Sequence, residues 1–283
     1  MAGLSRIAPS SQPRAQKAFW RAVYGLSTRR ADGAADAFMN YGYAPMANGS
    51  ASRAPGRDGK AFGTALYDRV VSARDLAGKD VLEVGCGRGG GTVHVFESHA
   101  PRSMVGVDLT PEAITYCRDR FARPGLRFLV ADAEDLPFPD GSFDVVLNVE
   151  SCHCYPDVPR FLEAAHRVLR PGGLLLLADV RHTSLARAVV GGPLHHEDVD
   201  DFRGQVKASS FTVLEEEDVT PNVARALQLD SARRRAVVED RVPRLLQPQA
   251  LNFAGVEGTP LHNAYVGGDL TYLRMVLQKG AGL

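Results

Sequence analysis

The residues best suited to chemistry begin at a glycine cluster. Glycines stand at 85, 87, 89, 90 and 91, directly after the apolar run Val81-Leu82-Glu83-Val84, and a second apolar run ends in Asp108. Glycine at 85 and 87 allows positive φ and leaves no Cβ between the turn and a ligand lying on it. A helix that opens after such a turn aims its first N–H groups at that ligand. Asp108, at the carboxyl end of the second run, is placed to accept hydrogen bonds from two ribose hydroxyls. The stretch therefore reads as a nucleoside site. Gly85, Gly87 and Gly90 satisfy GxGxxG literally, which is weak evidence for a dinucleotide when taken alone. Glu83 argues against NAD: a carboxylate beside the turn suits the cationic amino-acid end of S-adenosylmethionine better than an anionic pyrophosphate.

These residues need strands and helices in alternation to bring them together, and the pattern supplies them. Thr110 and Pro111 open a helix that runs to about Phe121. A third strand, Leu126 to Val130, ends at Ala131-Asp132-Ala133-Glu134, and Phe143 to Val149 is a fourth, buried strand. A helix over 159–169 and a fifth strand over Leu174 to Asp179 are separated by Arg170-Pro171-Gly172-Gly173. Alternation of this kind specifies a parallel sheet. Further on, Phe211 to Glu217 reads as a strand and Thr271 to Gln278 as the last one, while 182–210 and 220–266 have helical spacing and form a cap.

Upstream, residues 1 to about 18 read as disordered or loosely docked, and Phe19 to Arg30 as a helix. The aromatic cluster Phe38 to Tyr43 has two readings. Its rings pack a helix onto the core, or Tyr41 and Tyr43 belong to a lid over the ligand.

The composition is that of an ordinary globular chain of 283 residues, one large α/β domain or a smaller one with an insertion. Lys+Arg and Asp+Glu are both 33, so no net field draws the chain to nucleic acid or an anionic membrane. Cys86, Cys117, Cys152 and Cys154 follow no disulfide framework, which suits reduced thiols in the cytoplasm. No apolar stretch approaches membrane-spanning length.

The motifs VLEVGCG (81–87), Asp108, Asp132-Ala133-Glu134, Asp135-Leu136-Pro137-Phe138 and VLRPGG (168–173), in that order, resemble those of class I S-adenosylmethionine-dependent methyltransferases. More closely, FDVVLNVESCHCYP (143–156), GVEGT (255–259) and GGDLTYL (267–273) are similar to the mycobacterial phthiotriolone and phenolphthiotriolone dimycocerosate O-methyltransferases. The similarity extends to Asn40 and Tyr43. It implies a Rossmann-like α/β fold with a seven-stranded sheet in the order 3-2-1-4-5-7-6. A lid segment would occupy 1–59 and the methyltransferase domain 60–283. It also implies S-adenosylmethionine as cofactor. Glu83 and Gly85 would line its methionine end and Asp108 would hold its ribose, with Tyr43, Cys86, Gly87 and Leu109 as further cofactor contacts. Asp132, Ala133 and Glu134 would meet the adenine, and Asn148 would lie near the sulfonium. The acceptor would be a small hydrophobic molecule bearing a hydroxyl, and a homodimer is the candidate assembly.

An alcohol is a poor nucleophile until its proton leaves, so a base helps. His153, just past the fourth strand, is the candidate, with His182, His195 and His196 as rivals on the facing wall. Tyr41 and Glu150 complete the expected acceptor side, where Glu150 either bonds a histidine or simply ends the strand. Cys152-His153-Cys154 is no metal site by this reading, because adjacent residues point apart and no second pair exists. Arg233, Arg234 and Arg235 either reach an anionic substrate or form a solvated face. The alternatives are a C- or N-methyltransferase, a non-catalytic S-adenosylmethionine-binding protein, and an NAD(P)-dependent oxidoreductase, which no Tyr-x-x-x-Lys pair supports.

Overall fold

Short apolar runs punctuated by glycine and proline make the strands, and helices cover both of their faces. The computed structural model describes residues 12–28, 37–46, 60–72, 74–183 and 198–281. Its strands are β1 (Asp80–Val84), β2 (Ser103–Asp108), β3 (Leu126–Val130), β4 (Phe143–Val149), β5 (Leu169–His182), β6 (Phe211–Asp218) and β7 (Leu270–Lys279). They form one sheet in the order β3-β2-β1-β4-β5-β7-β6, with β7 antiparallel to both neighbours. Alternate residues of β1 and β2 enter two different cores, as the period of a strand requires. Val81 and Met104 pack on one side and Leu82, Val84 and Val105 on the other.

The helices are α1 (Gln12–Thr28), α2 (Lys60–Val71), α3 (Gly90–His99), α4 (Pro111–Phe121), α5 (Val158–Val168), α6 (Val199–Ala208), α7 (Thr220–Arg241), α8 (Gln247–Phe253) and α9 (Pro260–Gly267). Leu66 of α2, Val95 of α3, Ile114 of α4, Leu227 of α7 and Tyr265 of α9 cover one face of the sheet. Phe161 of α5 and Phe202 of α6 cover the other. The chain winds one way from β1 to β3 and the other way from β4, so a crevice opens at the carboxyl ends of β1 and β4, where ligands of open α/β sheets lie.

Two expectations change. The fifth strand is longer than Leu174 to Asp179: Leu169 already pairs with Phe143, the register shifts past the Pro-Gly-Gly turn, and antiparallel pairing with β7 carries the strand on to His182. Residues 12–18 are helical rather than loose. Good helix formers extend α1 upstream, and Lys17 anchors it through ion pairs to Asp132 and Glu134.

One helical glycine is dictated by packing. A Cβ at Gly91 would lie 1.8 Å from Cζ of the Tyr67 ring, whose hydroxyl is held by Glu83. Alanine there gains about 1 kcal/mol of helix propensity, yet overpacking typically costs about 1–3 kcal/mol and the anchored ring cannot swing aside cheaply. Gly91→Ala is expected to be less stable than the wild type by urea denaturation, despite the better helix former.

Candidate functional site

The crevice is an open cleft enclosing about 1070 Å³ of space, solvent at its mouth included. Its floor is the turn after β1, where Gly85 and Gly87 sit at φ 77° and 51°. A Cβ on Gly87 would meet only the Met39 side chain, its Sδ at 3.0 Å, so that backbone faces the cleft. Asp108 lies beside the turn: its Oδ2 accepts from the Gly87 N–H at 2.9 Å and its Oδ1 from the Thr110 N–H at 2.8 Å. Burial pushes its carboxyl above the ordinary range, against the pull of those two donors. Asp132 stands at the end of the next strand, its Oδ2 2.7 Å from the Lys17 ammonium. Lys17 also meets Glu134 at 2.6 Å, and α1 thereby lies across the cleft. Asp132, Asp108, the glycine turn and Glu150 follow one another along the wall, the order that adenine, ribose and methionine need, so the donor set fits S-adenosylmethionine.

Of the residues singled out from sequence, Gly85, Cys86, Gly87, Asp108, Leu109, Asp132, Ala133 and Glu150 line this cleft. Glu83 stands behind the wall. It is fully buried, accepting from the Tyr67 hydroxyl at 2.7 Å and from the Thr92 hydroxyl, and burial pushes its carboxyl up to about 7. The expectation that Glu83 faces the ligand is corrected accordingly: strand alternation turns it under α2 and α3. Asn148 is also buried, donating to Val84 O at 3.0 Å and to Ser151 Oγ at 2.9 Å, so it positions Ser151 from behind. Glu134 holds Lys17 and accepts from the Asp157 N–H at 3.1 Å. Tyr41 and Tyr43 pack against the core, whereas Phe38, Met39 and Asn40 take the place at the cleft expected of the two tyrosines. His182 is buried at the end of β5 and is not among the residues that line the cleft. His195 and His196 lie outside the described residues.

The segment after β4 carries the most unusual groups. Glu150 has φ 48°, a conformation that non-glycine residues rarely adopt and that clusters at functional sites. Its Oε1 accepts from the Tyr41 N–H at 2.8 Å and the Tyr272 hydroxyl at 2.9 Å, and burial pushes its carboxyl up to about 7. The next residues scatter. Cys152 Sγ accepts from Arg181 at 2.8 Å, Cys154 lies 3.8 Å from the Tyr24 hydroxyl, and His153 turns to Asp179. His153 Nδ1 is 2.7 Å from Asp179 Oδ1, and its backbone N–H donates to Oδ2 at 2.8 Å. Burial alone would depress the imidazole, but the Asp179 charge and the contact with Cys154 outweigh it and hold His153 well above its ordinary value. Asp179 in turn is held far below the carboxylate range: His153 and Arg181 overcome its burial.

These shifts set the sign of a pH dependence. Glu83, Glu150 and His153 all bind protons more tightly folded than unfolded, so each contributes stability at low pH that is lost as pH rises through its folded value. A carboxyl raised to about 7 loses on the order of 3 kcal/mol over that climb. The unliganded protein is expected to melt at lower temperature at pH 8 than at pH 5. Thermal denaturation across that range checks it.

Some of the cleft escaped the sequence reading. Lys17, Trp20 and Tyr24 of α1 line it, as do Tyr67, Ser151 and Tyr155. The four-residue spacing of Trp20 and Tyr24, which stack at 5.6 Å, was the one available signal. Within the arginine run, Arg235 lies on a solvated face, as one of the two readings expects, while its two predecessors meet neither. Arg233 and Arg234 both bind Asp230, and Arg234 also donates to Tyr41 O at 3.0 Å and Ala254 O at 3.0 Å, tying α7 to the segment beside the cleft.

Comparison with known proteins agrees with this geometry. A methyltransferase-domain family matches residues 82–177. The phthiotriol/phenolphthiotriol dimycocerosates methyltransferase of Mycobacterium leprae is 36% identical over 95% of this chain and 94% of its own length. The fatty-acid O-methyltransferase of Mycolicibacterium smegmatis is 34% identical over 80% and 77%. Among solved structures, geranyl diphosphate C-methyltransferase from Streptomyces coelicolor shares the fold with a TM-score of 0.70 at 16% identity, covering 96% of this chain and all of that one. No helix among the described residues is long and apolar enough to cross a membrane. With the sheet order, the glycine turn and the carboxylates of the cleft in place, the chain belongs to the phthiotriol/phenolphthiotriol dimycocerosates methyltransferase family, class I enzymes whose cofactor is S-adenosylmethionine.

Proposed function

We propose that the chain methylates a hydroxyl of a hydrophobic acceptor, a lipid or a polyketide-like natural product. The observation that carries this reading is the Asp179–His153 pair beside the cleft. An imidazole whose Nδ1 is held by a buried carboxylate is oriented to take a proton at Nε2, the service an alcohol needs and a free amine does not. His153 itself lines a neighbouring cavity with Tyr155, Arg181 and Gln205 rather than the cleft, and Cys154, in contact with the imidazole, lines the cleft, so the pair stands one side chain from the cofactor space. The relatives' names support an oxygen acceptor on a long-chain molecule, since one is named a fatty-acid O-methyltransferase. When bound, S-adenosylmethionine supplies an electrophilic methyl group. Asp108 would orient the ribose, Asp132 the adenine amino group, and the Gly85–Gly87 turn would let the backbone approach. The ion pairs of Lys17 would close α1 over the cleft as a lid and exclude water. All four cysteines are free, which accords with work in the cytoplasm.

Incubation with methyl-labelled S-adenosylmethionine and matched long-chain alcohols, phenols and amines tests the proposal. Label on oxygen is expected. Label on nitrogen or carbon alone would overturn the O-methyltransferase reading and leave the cofactor assignment standing.

A further inference from the structure

We propose that Asp68, His94 and His99 form a binding site for a divalent transition metal, zinc first among them, on the outer side of α2 and α3 and apart from the cofactor cleft. Asp68 comes from α2 and the two histidines from α3. His94 Nε2 lies 2.6 Å and His99 Nε2 3.4 Å from the same oxygen, Asp68 Oδ1. The three atoms all lie within 4.8 Å of one another. Tetrahedral zinc with bonds of about 2.0–2.2 Å sets its ligand atoms about 3.3 Å apart. The His99–Asp68 spacing already meets that requirement, and the other separations need to change by at most about 1.5 Å, within reach of partly exposed side chains.

Two further features favour a metal over a plain hydrogen-bonded cluster. Ser98 Oγ lies 3.4 Å from Nδ1 of His94, the ring nitrogen away from the site. With a metal on Nε2, a proton on Nδ1 would be donated to that hydroxyl, the kind of outer contact that orients metal-bound imidazoles. The donor set of two imidazoles and one carboxylate suits zinc, with a fourth position left to water. Asp68 follows Tyr67, and His94 lies two residues beyond Thr92, the residues whose hydroxyls hold Glu83. A metal here therefore staples together the two helices that frame the buried carboxylate.

The test is calorimetric titration of untagged, chelator-treated full-length protein with Zn2+. One equivalent binding at micromolar Kd is expected, at least tenfold weaker in His94→Gln and in His99→Gln. A hundredfold excess of Zn2+ over the wild-type Kd should raise the wild-type Tm by about 5–10 °C and raise both variants by about half of that or less. Both variants should bind S-adenosylhomocysteine like the wild type, because neither side chain lines the cleft, and this shows that they are folded. Absence of Zn2+ binding below millimolar, or undiminished binding in both folded variants, overturns the proposal. The second outcome would move the metal to another group, such as the thiols.

Discussion

Replacing His153 by alanine is expected to lower turnover by about 10²–10⁴-fold, the usual worth of a positioned base, while S-adenosylhomocysteine binding changes little. The basis is the division of labour after β4: the cofactor cleft is lined by Glu150, Ser151 and Cys154, whereas His153 turns to Asp179. A base that is protonated at rest works only once it has lost that proton. Because Asp179 holds the imidazole well above its ordinary value, the wild-type rate should climb with pH through that raised value, and the climb should vanish in His153→Ala. Glu150, whose carboxyl is pushed up to about 7, is the competing base. If the variant keeps full turnover, or keeps a rise centred near 7, proton removal belongs to Glu150 and His153 serves only to shape the turn.

Asp108→Ala is expected to weaken S-adenosylhomocysteine binding by about a hundredfold. Hydrogen bonds to a charged group are worth about 1.5–3 kcal/mol each, and tenfold in affinity is about 1.4 kcal/mol. Alanine removes the acceptor for the ribose hydroxyls and also frees the Gly87 N–H that Asp108 holds at 2.9 Å, so the turn loses its pin. Asp108→Asn retains one acceptor oxygen and should fall between the two. An unchanged Kd in a folded Asp108→Ala protein would place the nucleoside elsewhere.

What could be read from sequence was what local chemistry fixes. The glycine turn, Asp108 and Asp132 sit at strand ends, and apolar runs mark strand ends well, so their convergence on one crevice followed from the parallel order. The direction of a side chain within a strand was harder. Glu83 looked like a ligand to the cofactor because it precedes the turn by two residues, yet alternation sends it beneath α2 and α3, where the Tyr67 and Thr92 hydroxyls donate to it. Long-range partners were invisible. Lys17 is one charged residue in a polar stretch until Asp132, 115 positions away, is seen to hold it. Likewise Glu150 gave no sign of its positive φ, and the arginines of α7 gave none of the backbone carbonyls they serve. Asp68, His94 and His99 are unremarkable along the chain, spread over two helices that only packing brings together.

The most direct measurement is calorimetric titration of the purified protein with S-adenosylhomocysteine and, separately, with NAD and NADP, repeated on Asp108→Ala. Micromolar binding of S-adenosylhomocysteine alone, weakened about a hundredfold in the variant, is the expected result. Binding of NAD or NADP in place of S-adenosylhomocysteine, or binding indifferent to Asp108, would contradict the assignment of this cleft to the cofactor.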